Sequence, residues 1–303
     1  MDLRALLGVV QRAEQFRSLV EEIEAGGEPV LDVLPEARAY LAASLLDRVE
    51  RPALLVTAGA ETARDWFEQL KAWFGESREV HLFRVPDPLP YERIHWTPDT
   101  IQYRLKALTA LVRSEKAIVV APARALASLT LPARELKLAT RKLRKGQMVP
   151  QEELMRKWFS IGYRLVPVVE TPGTVARRGG ILDVWPPNLD MPVRVEFFGD
   201  EVDSLRSFDP GTQRTLEKLE EVVIGPGSEA LPKFSENALA RLRELDFSSC
   251  HPPAKAEFDR DMEKLASGQG FEGIEYYIPL LYKSPGSILD ALPPSALVLL
   301  EER

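Results

Sequence analysis

The sequence predicts an α/β protein in which a largely parallel sheet, covered by helices, carries an inserted α+β domain. Three observations lead there. Over 28–130, short apolar runs alternate with segments of helical periodicity; over about 134–226, one helix is followed by closely spaced strands with glycine turns; beyond 226 the helical pattern returns and ends on an apolar run. The expected boundaries are 1–133 for the first part of the sheet domain, 134–226 for the insertion and 227–303 for the return to the first lobe.

The chain has 303 residues, 45% hydrophobic and 28% charged, enough for about two soluble globular domains. Its net charge of -7 provides no global basic field to hold a nucleic acid, so any DNA contact must be local. The opening stretch "MDLRALLGVVQRAEQFRSLVEEIEAGG" spaces Leu3, Leu6, Leu7, Val10, Ala13, Leu19, Val20 and Ile23 as one amphipathic helix stopping at Gly26-Gly27. It is not a signal sequence, and no apolar run of about 18 residues occurs, so no membrane span is expected and the composition reads as cytoplasmic.

The expected strands of the first domain are "PVLDVL" (29–34), "ALLVTA", "VHLFRV" and "AIVVAP". Between them lie the helices "PEARAYLAASLLDRV", "AETARDWFEQLKAWF", "TPDTIQYRLKALTALVRSE" and "ARALASL", and a loop containing "PDPLPYERIHW". Strands separated by helices imply parallel pairing with both faces covered, a RecA-like or Rossmann-like layout. Such a domain would cradle phosphates in the turn after its first strand with GxxxxGK[ST]. The residues there, "VLDVLPEARAYLAASL", offer no glycine for close backbone approach and no Lys for the phosphates, and Pro35 removes an N–H donor. The expected domain is therefore a degenerate RecA-like, P-loop-NTPase-like one without a functional P-loop, and no ATP, magnesium or other cofactor is expected in this chain.

The insertion begins with the basic run "ARELKLATRKLRKG" and the helix "PQEELMRKWFSIGY", with Pro150 in its first turn. The strands "YRLVPVVE", "GGILDVW", "VRVEFF" and "EVDSLRSF" follow, the last two joined by Gly199-Asp200 as an antiparallel hairpin. After "EEVVIGPG" come the helices "SENALARLRELDF" and "AKAEFDRDMEKLASG", then "SILDALPPSALVLLEE", whose end is expected to be a buried strand rejoining the first sheet. The stop at Arg303 directly after that strand suggests a piece of a longer protein.

Most candidate chemistry fails on spacing. Cys250 is the sole cysteine, and with His81, His95 and His251 the only histidines a metal site has few ligands; Cys250 and His251 lack CxxC or HxxxH companions and read as a loop before Pro252. "DEVD" at 200–203 follows a turn glycine with no phosphate loop to serve, so it reads as a hairpin turn and not as an ATPase carboxylate. No nucleophile elbow or catalytic triad is present, and no catalytic residue is assigned. Arg134, Lys137, Arg141, Lys142, Arg144 and Lys145 could touch phosphates, or could form the exposed face of an edge strand and its turn. "ARRGG" at 176–180 reads as a turn. The alternative function is a DNA-binding module built on the 134–145 run with Arg177 and Arg178.

In "VRVEFF", strand alternation puts Val193, Val195 and Phe197 on one face and Arg194, Glu196 and Phe198 on the other. Arg194 and Phe198 then share a face about 13 Å apart, and Arg178 joins them if the neighbouring strands pair. An exposed Phe among arginines has the composition of a protein-binding hot spot. The other placement, with Phe198 packed beneath the basic run or the 150–161 helix, is equally open on these grounds.

"RRGGILDVWP", "VRVEFFGDEVDSLRSFDPGTQRTLEKLEEV", "GIEYYIPLLY" and "DPLPYERIHWTPDTIQYRLKAL" together resemble the UvrB-homology module at the N-terminus of the bacterial transcription-repair coupling factors, the Mfd family. UvrB itself shares part of this pattern. It differs by its phosphate loop and by an aromatic-rich hairpin for which the region between "VHLFRV" and "TPDTIQYRL" is too short. The resemblance implies a UvrB-like fold and a non-catalytic adaptor that binds UvrA and so recruits nucleotide excision repair to stalled transcription. It carries UvrA contacts onto Arg178, Arg194 and Phe198, with Arg177 and Glu196 as candidates to extend them. It further implies that in the intact family protein a C-terminal domain masks this face, and that domains beyond Arg303 bind RNA polymerase and, with ATP and magnesium, translocate on double-stranded DNA.

Overall fold

The computed structural model of the chain describes residues 3–86, 92, 94–114 and 116–301. In chain order its elements are α1 (Arg4–Val10), α2 (Glu14–Glu24), α3 (Pro35–Val49), β1 (Ala53–Thr57), α4 (Ala60–Phe74), β2 (Val80–Leu82), α5 (Pro98–Arg113), β3 (Ile118–Pro122), α6 (Ala123–Leu126), α7 (Ala133–Ala139), β4 (Arg141–Arg144) and α8 (Gln151–Ser160). There follow β5 (Arg164–Leu165), β6 (Thr174–Arg178), β7 (Ile181–Trp185), β8 (Val193–Phe198), β9 (Glu201–Phe208), β10 (Thr215–Leu219), β11 (Glu221–Ile224), α9 (Ser235–Arg243), α10 (Pro252–Ala266), α11 (Ile278–Leu281), α12 (Ile288–Ala291) and β12 (Leu297–Leu300). Much of the expected "PDPLPYERIHW" loop, residues 87–91 and 93, lies outside the described residues.

The chain divides into two compact units. The first comprises Met1–Val85, Ala110–Leu126 and Leu292–Arg303 and holds a parallel sheet in the order β12-β1-β3-β2. Every residue of β1 and β3 is buried, as suits central strands covered on both faces. Helix α4 buries Trp66, Phe67, Leu70 and Phe74 at helical spacing, and α2 buries Phe16, Leu19 and Val20. The last apolar run does rejoin this sheet, pairing parallel to β1, but as an edge strand of alternating partial burial and not as a buried one.

Two expectations for this unit are corrected. The N-terminal helix is two helices, α1 and α2, broken at Gln11–Ala13, where Ala13 is extended (ψ 141°). "PVLDVL" is irregular chain: Val30 is 94% exposed and Leu34 75%, so its apolar residues have no sheet to cover, and Pro35 opens α3 directly behind it. The first strand of the sheet is β1. Its turn into α4, Thr57-Ala58-Gly59, has one glycine and no lysine, so the phosphate-cradle pattern is missing there as well.

The second unit comprises Pro86–Thr109 and Ala127–Ala291. Its main sheet runs β10-β9-β8-β7-β6-β5, antiparallel except for the β5–β6 pair. One face packs Val175, Leu182, Val184, Val193, Val195, Val202 and Leu205 against Leu154, Met155 and Trp158 of α8 and against Leu143, Val222 and Ile224 of a two-stranded β4–β11 ribbon. β6, β10 and β11 were not expected as strands, and of "YRLVPVVE" only Arg164–Leu165 is one, since Pro167 has no N–H to give a ladder.

Residues 227–291, expected to return to the first lobe, belong to this second unit, and β12 alone among the strands after β11 joins the parallel sheet. The segment buries Leu231, Leu239, Leu242, Tyr277 and Leu281, and a buried polar junction ties it to α5. The fully buried Arg104 of α5 donates to both carboxylate oxygens of the fully buried Glu229, at 2.5 and 3.0 Å, and lies 5.0 Å from the Trp96 ring. Thr130 Oγ1 also donates to Glu229, Tyr282 Oη donates to the Glu229 carbonyl at 2.6 Å, and Ser228 Oγ donates to Glu275 at 2.8 Å. Burial pushes the Glu275 carboxyl above its ordinary range, opposed by the Ser228 hydrogen bond. Such groups are tolerated inside only because each is paired.

A candidate docking face on the six-stranded sheet

The site grows from two hairpins. Arg178 pairs with Ile181 across a two-residue turn in which Gly179 has φ 59°, and Phe198 pairs with Glu201 across a second in which Gly199 has φ 63°. Both turns take the positive φ at the first position that suits a tight hairpin and that glycine supplies without steric cost. In "ARRGG", therefore, the glycines are the turn and the arginines are the end of strand β6, which corrects the reading of the whole string as a turn. Both hairpins lie at the same end of the sheet.

Across the strands, Ala176, Asp183, Arg194 and Arg206 form one row, and Ile181 and Glu196 with Arg178 and Ser204 form the next. These rows face away from the α8 core. Phe197 packs into that core, whereas Phe198 is 82% exposed. Of the two placements left open by the sequence, the packed one is thus eliminated: no described element covers the Phe198 ring. The expected alternation of β8 holds through the register shift after Glu196, where β9 carries an extra residue, Asp203. "DEVD" is the hairpin turn and the first residues of β9, with Val202 buried in the core.

The electrostatics centre on Asp183, a carboxylate whose side chain is 2% exposed. Arg194 grips it with two bonds, Nε to Oδ1 at 2.7 Å and Nη2 to Oδ2 at 2.9 Å, and lies 4.7 Å from the Phe208 ring. The hydrogen bond to Asp183 holds the Arg194 guanidinium above its ordinary pKa, so it is charged at every accessible pH. Arg178 reaches the same carboxylate with Nη2 at 3.2 Å. Glu196 accepts from Ser204 and from Arg206, both at 2.6 Å. Beyond this row the face is closed by Val166 and Val169, packed with Ala176, Phe208 and Trp185, so the open part is the hairpin end.

The predicted residues separate accordingly. Arg178, Arg194, Glu196 and Phe198 share the outer face. Arg177 does not: its strand row is Leu182, Val195 and Leu205, on the α8 side, and its guanidinium lies 4.0 Å from Glu152 of α8. Alternation sends neighbouring side chains to opposite faces, so Arg177 cannot extend the face that holds Arg178. Asp183 was missed by the sequence reading. Its signal was present, a lone acid inside the apolar strand "ILDVW".

The basic run is half helix and half strand. Arg134 and Lys137 lie on α7; β4 is laid against β11, where Lys142 and Arg144 share Glu221 at 2.5 and 3.2 Å. With Arg177 and Arg178 on opposite faces, the arginines assigned to the DNA-binding alternative do not converge. Among the described residues no group of His, Cys, Asp or Glu could hold a metal ion, and no helix is long and apolar enough to cross a membrane.

Residues 142–229 match the family described as "UvrB interaction domain", a segment that contains the whole six-stranded sheet and the face. Over nearly its whole length the chain is similar to transcription-repair-coupling factors: 28% identical over 97% of the chain to that of Bacillus subtilis (strain 168), 31% over 98% to that of Mycobacterium tuberculosis (strain CDC 1551 / Oshkosh), and 29% over 93% to that of Escherichia coli (strain K12). It spans 26%, 25% and 23% of those proteins, about a quarter of their length. With the UvrB interaction domain in place and the flanking sequence matched on both sides of it, the chain belongs to the transcription-repair coupling factor (Mfd) family.

Proposed function

We propose that this chain is a non-catalytic adaptor whose outer sheet face binds UvrA, delivering nucleotide excision repair to stalled transcription. The observation that carries the reading is Phe198: a ring 82% exposed at a hairpin end, on the sheet face that also carries Arg194 and Arg178, within the segment that matches the UvrB interaction domain. An exposed aromatic on a face that also carries arginines has the composition of a protein-binding hot spot. The missing phosphate-cradle pattern supports a binding role over nucleotide hydrolysis, with no cofactor required by this chain. In the whole protein, masking of the face by a C-terminal domain, engagement of RNA polymerase and ATP-driven movement on duplex DNA belong to other segments.

The test is calorimetric titration of the chain with UvrA, alongside a fluorescence titration with duplex DNA at low salt. Saturable UvrA binding with no duplex affinity is the expected pair of results. Duplex binding that weakens steeply with salt, without UvrA binding, would overturn the proposal in favour of a DNA-binding module.

A further inference from the structure

The outer face presents two arginines in different states. Arg194 is 18% exposed at its side chain, and two of its three nitrogens are committed to Asp183. Nη2 also faces Gln213 Oε1 at 3.5 Å, and the guanidinium lies over the Phe208 ring. Arg178 is 52% exposed and touches Asp183 through one nitrogen only. Gln213 is itself a non-glycine residue in the left-handed region, φ 61°, held there by donating its amide to the Pro210 carbonyl at 2.7 Å and that of Val169 at 3.4 Å. Its backbone N–H also closes the turn onto the Asp209 carbonyl at 2.7 Å, so the turn fixes Gln213 and with it the oxygen that Arg194 faces.

Resting on the reading that this face binds UvrA, we infer that Asp183 is its positioning residue: it holds Arg194 as a fixed platform on the face that carries Phe198 and leaves Arg178 as the cation that meets a carboxylate on the partner. Two arginines and one aspartate leave a single net positive charge; Arg178 commits one Nη2 proton to Asp183 and keeps its other four N–H donors, so one two-nitrogen edge can still meet a carboxylate. Arg194 commits its Nε/Nη2 edge to Asp183 and turns Nη2 toward Gln213, so Nη1 is the nitrogen it has left to offer a partner. Positioning of this kind holds rotamers that would otherwise be lost on binding.

Asp183→Asn separates positioning from simple charge complementarity, because it adds one positive charge to the face while removing the two-point grip. If charge alone mattered, the variant would bind UvrA more tightly. Positioning predicts binding weaker by about tenfold, on the scale of one charge-assisted hydrogen bond. A loss of fold would produce weaker binding too, so Arg194→Lys serves as the second variant: it keeps the charge, leaves Asp183 a partner and removes the fork geometry. It is expected to lose binding as Arg194→Gln does, whereas binding equal to that of the unaltered chain would overturn the inference. A partner-free readout comes from nitrogen-15 relaxation of the arginine Nε–H groups in the isolated chain. Arg194 should be as rigid as the backbone and Arg178 mobile, and Asp183→Asn should make Arg194 as mobile as Arg178 with sheet resonances elsewhere unmoved. Should the unaltered chain not bind UvrA, the proposed function fails, and the relaxation data still decide Asp183: a mobile Arg194 in the unaltered chain refutes the assignment.

Discussion

Adjacent phenylalanines on β8 should give opposite phenotypes when each is cut to alanine. Phe197 is partly buried against the core that includes Val195 and Val202, and its loss leaves a cavity under the sheet. The cost to folding is about 3 kcal/mol, the low end of the range for a buried Phe because this one is not fully enclosed. Phe198 contributes almost nothing to the folded chain, so Phe198→Ala should move stability by less than about 0.5 kcal/mol, as at other open surface positions. Its effect belongs to binding. Enclosing a Phe side chain is worth roughly 1.5–3 kcal/mol, and four-fifths of this residue is open to be enclosed. Truncation should therefore weaken UvrA binding by about 1.2–2.4 kcal/mol, or roughly 7- to 50-fold. Urea unfolding of both variants and calorimetry of Phe198→Ala measure the two effects. Equal destabilisation by both substitutions, or unchanged UvrA affinity in Phe198→Ala, refutes the assignment of the faces.

Three further outcomes are expected. Arg177→Gln should leave UvrA affinity within experimental error in the same calorimetric assay, because its side chain lies on the α8 face; a loss as large as that of Arg178→Gln would contradict the register. Arg104→Met leaves the Glu229 carboxylate buried without its ion-pair partner and should cost about 3–5 kcal/mol in urea unfolding, while the double change Arg104→Met, Glu229→Met should recover much of that loss. Glu275 has a folded-state pKa raised by burial, so its native state holds the proton to higher pH than the unfolded chain does. That contribution is fully present below the ordinary glutamate value and is lost as pH rises through the raised one. Glu275→Gln should therefore flatten the fall in stability with rising pH over that window, read from urea midpoints at a series of pH values; an unchanged slope contradicts the burial argument.

The shared face was legible in the sequence, because period-two alternation separates Val193, Val195 and Phe197 from Arg194, Glu196 and Phe198; whether Phe198 was covered was not, because that depends on where α8 and the basic run pack, and α8 takes the Phe197 side. The Gly199-Asp200 turn fixed the β8–β9 hairpin in the sequence, whereas the Gly179-Gly180 hairpin emerges only with the structure. Arg177 was misplaced because the "ARRGG" string was read as a turn, whereas a strand ending at Arg178 sends the two arginines apart. Asp183 went unassigned because its role depends on which strands pair, and that pairing is a property of the sheet. "PVLDVL" failed for the opposite reason, since an apolar run is a strand only where another strand receives it. The placement of 227–291 was equally hidden: helical periodicity in α9 and α10 marks an apolar face without naming the core it joins, and the bond between Arg104 and Glu229 spans too much chain to be seen as a pattern.

The measurement that bears most directly on the docking face is calorimetric titration of UvrA with the unaltered chain and with the double variant Arg178→Glu, Phe198→Ala. Arg178→Glu also exchanges a 3.2 Å contact to Asp183 for a like charge, so circular dichroism and the urea midpoint of the variant are read alongside, to separate a loss of binding from a loss of fold. Saturable binding by the unaltered chain and none by the variant is the expected result. Equal binding by both would place the docking surface elsewhere on the molecule.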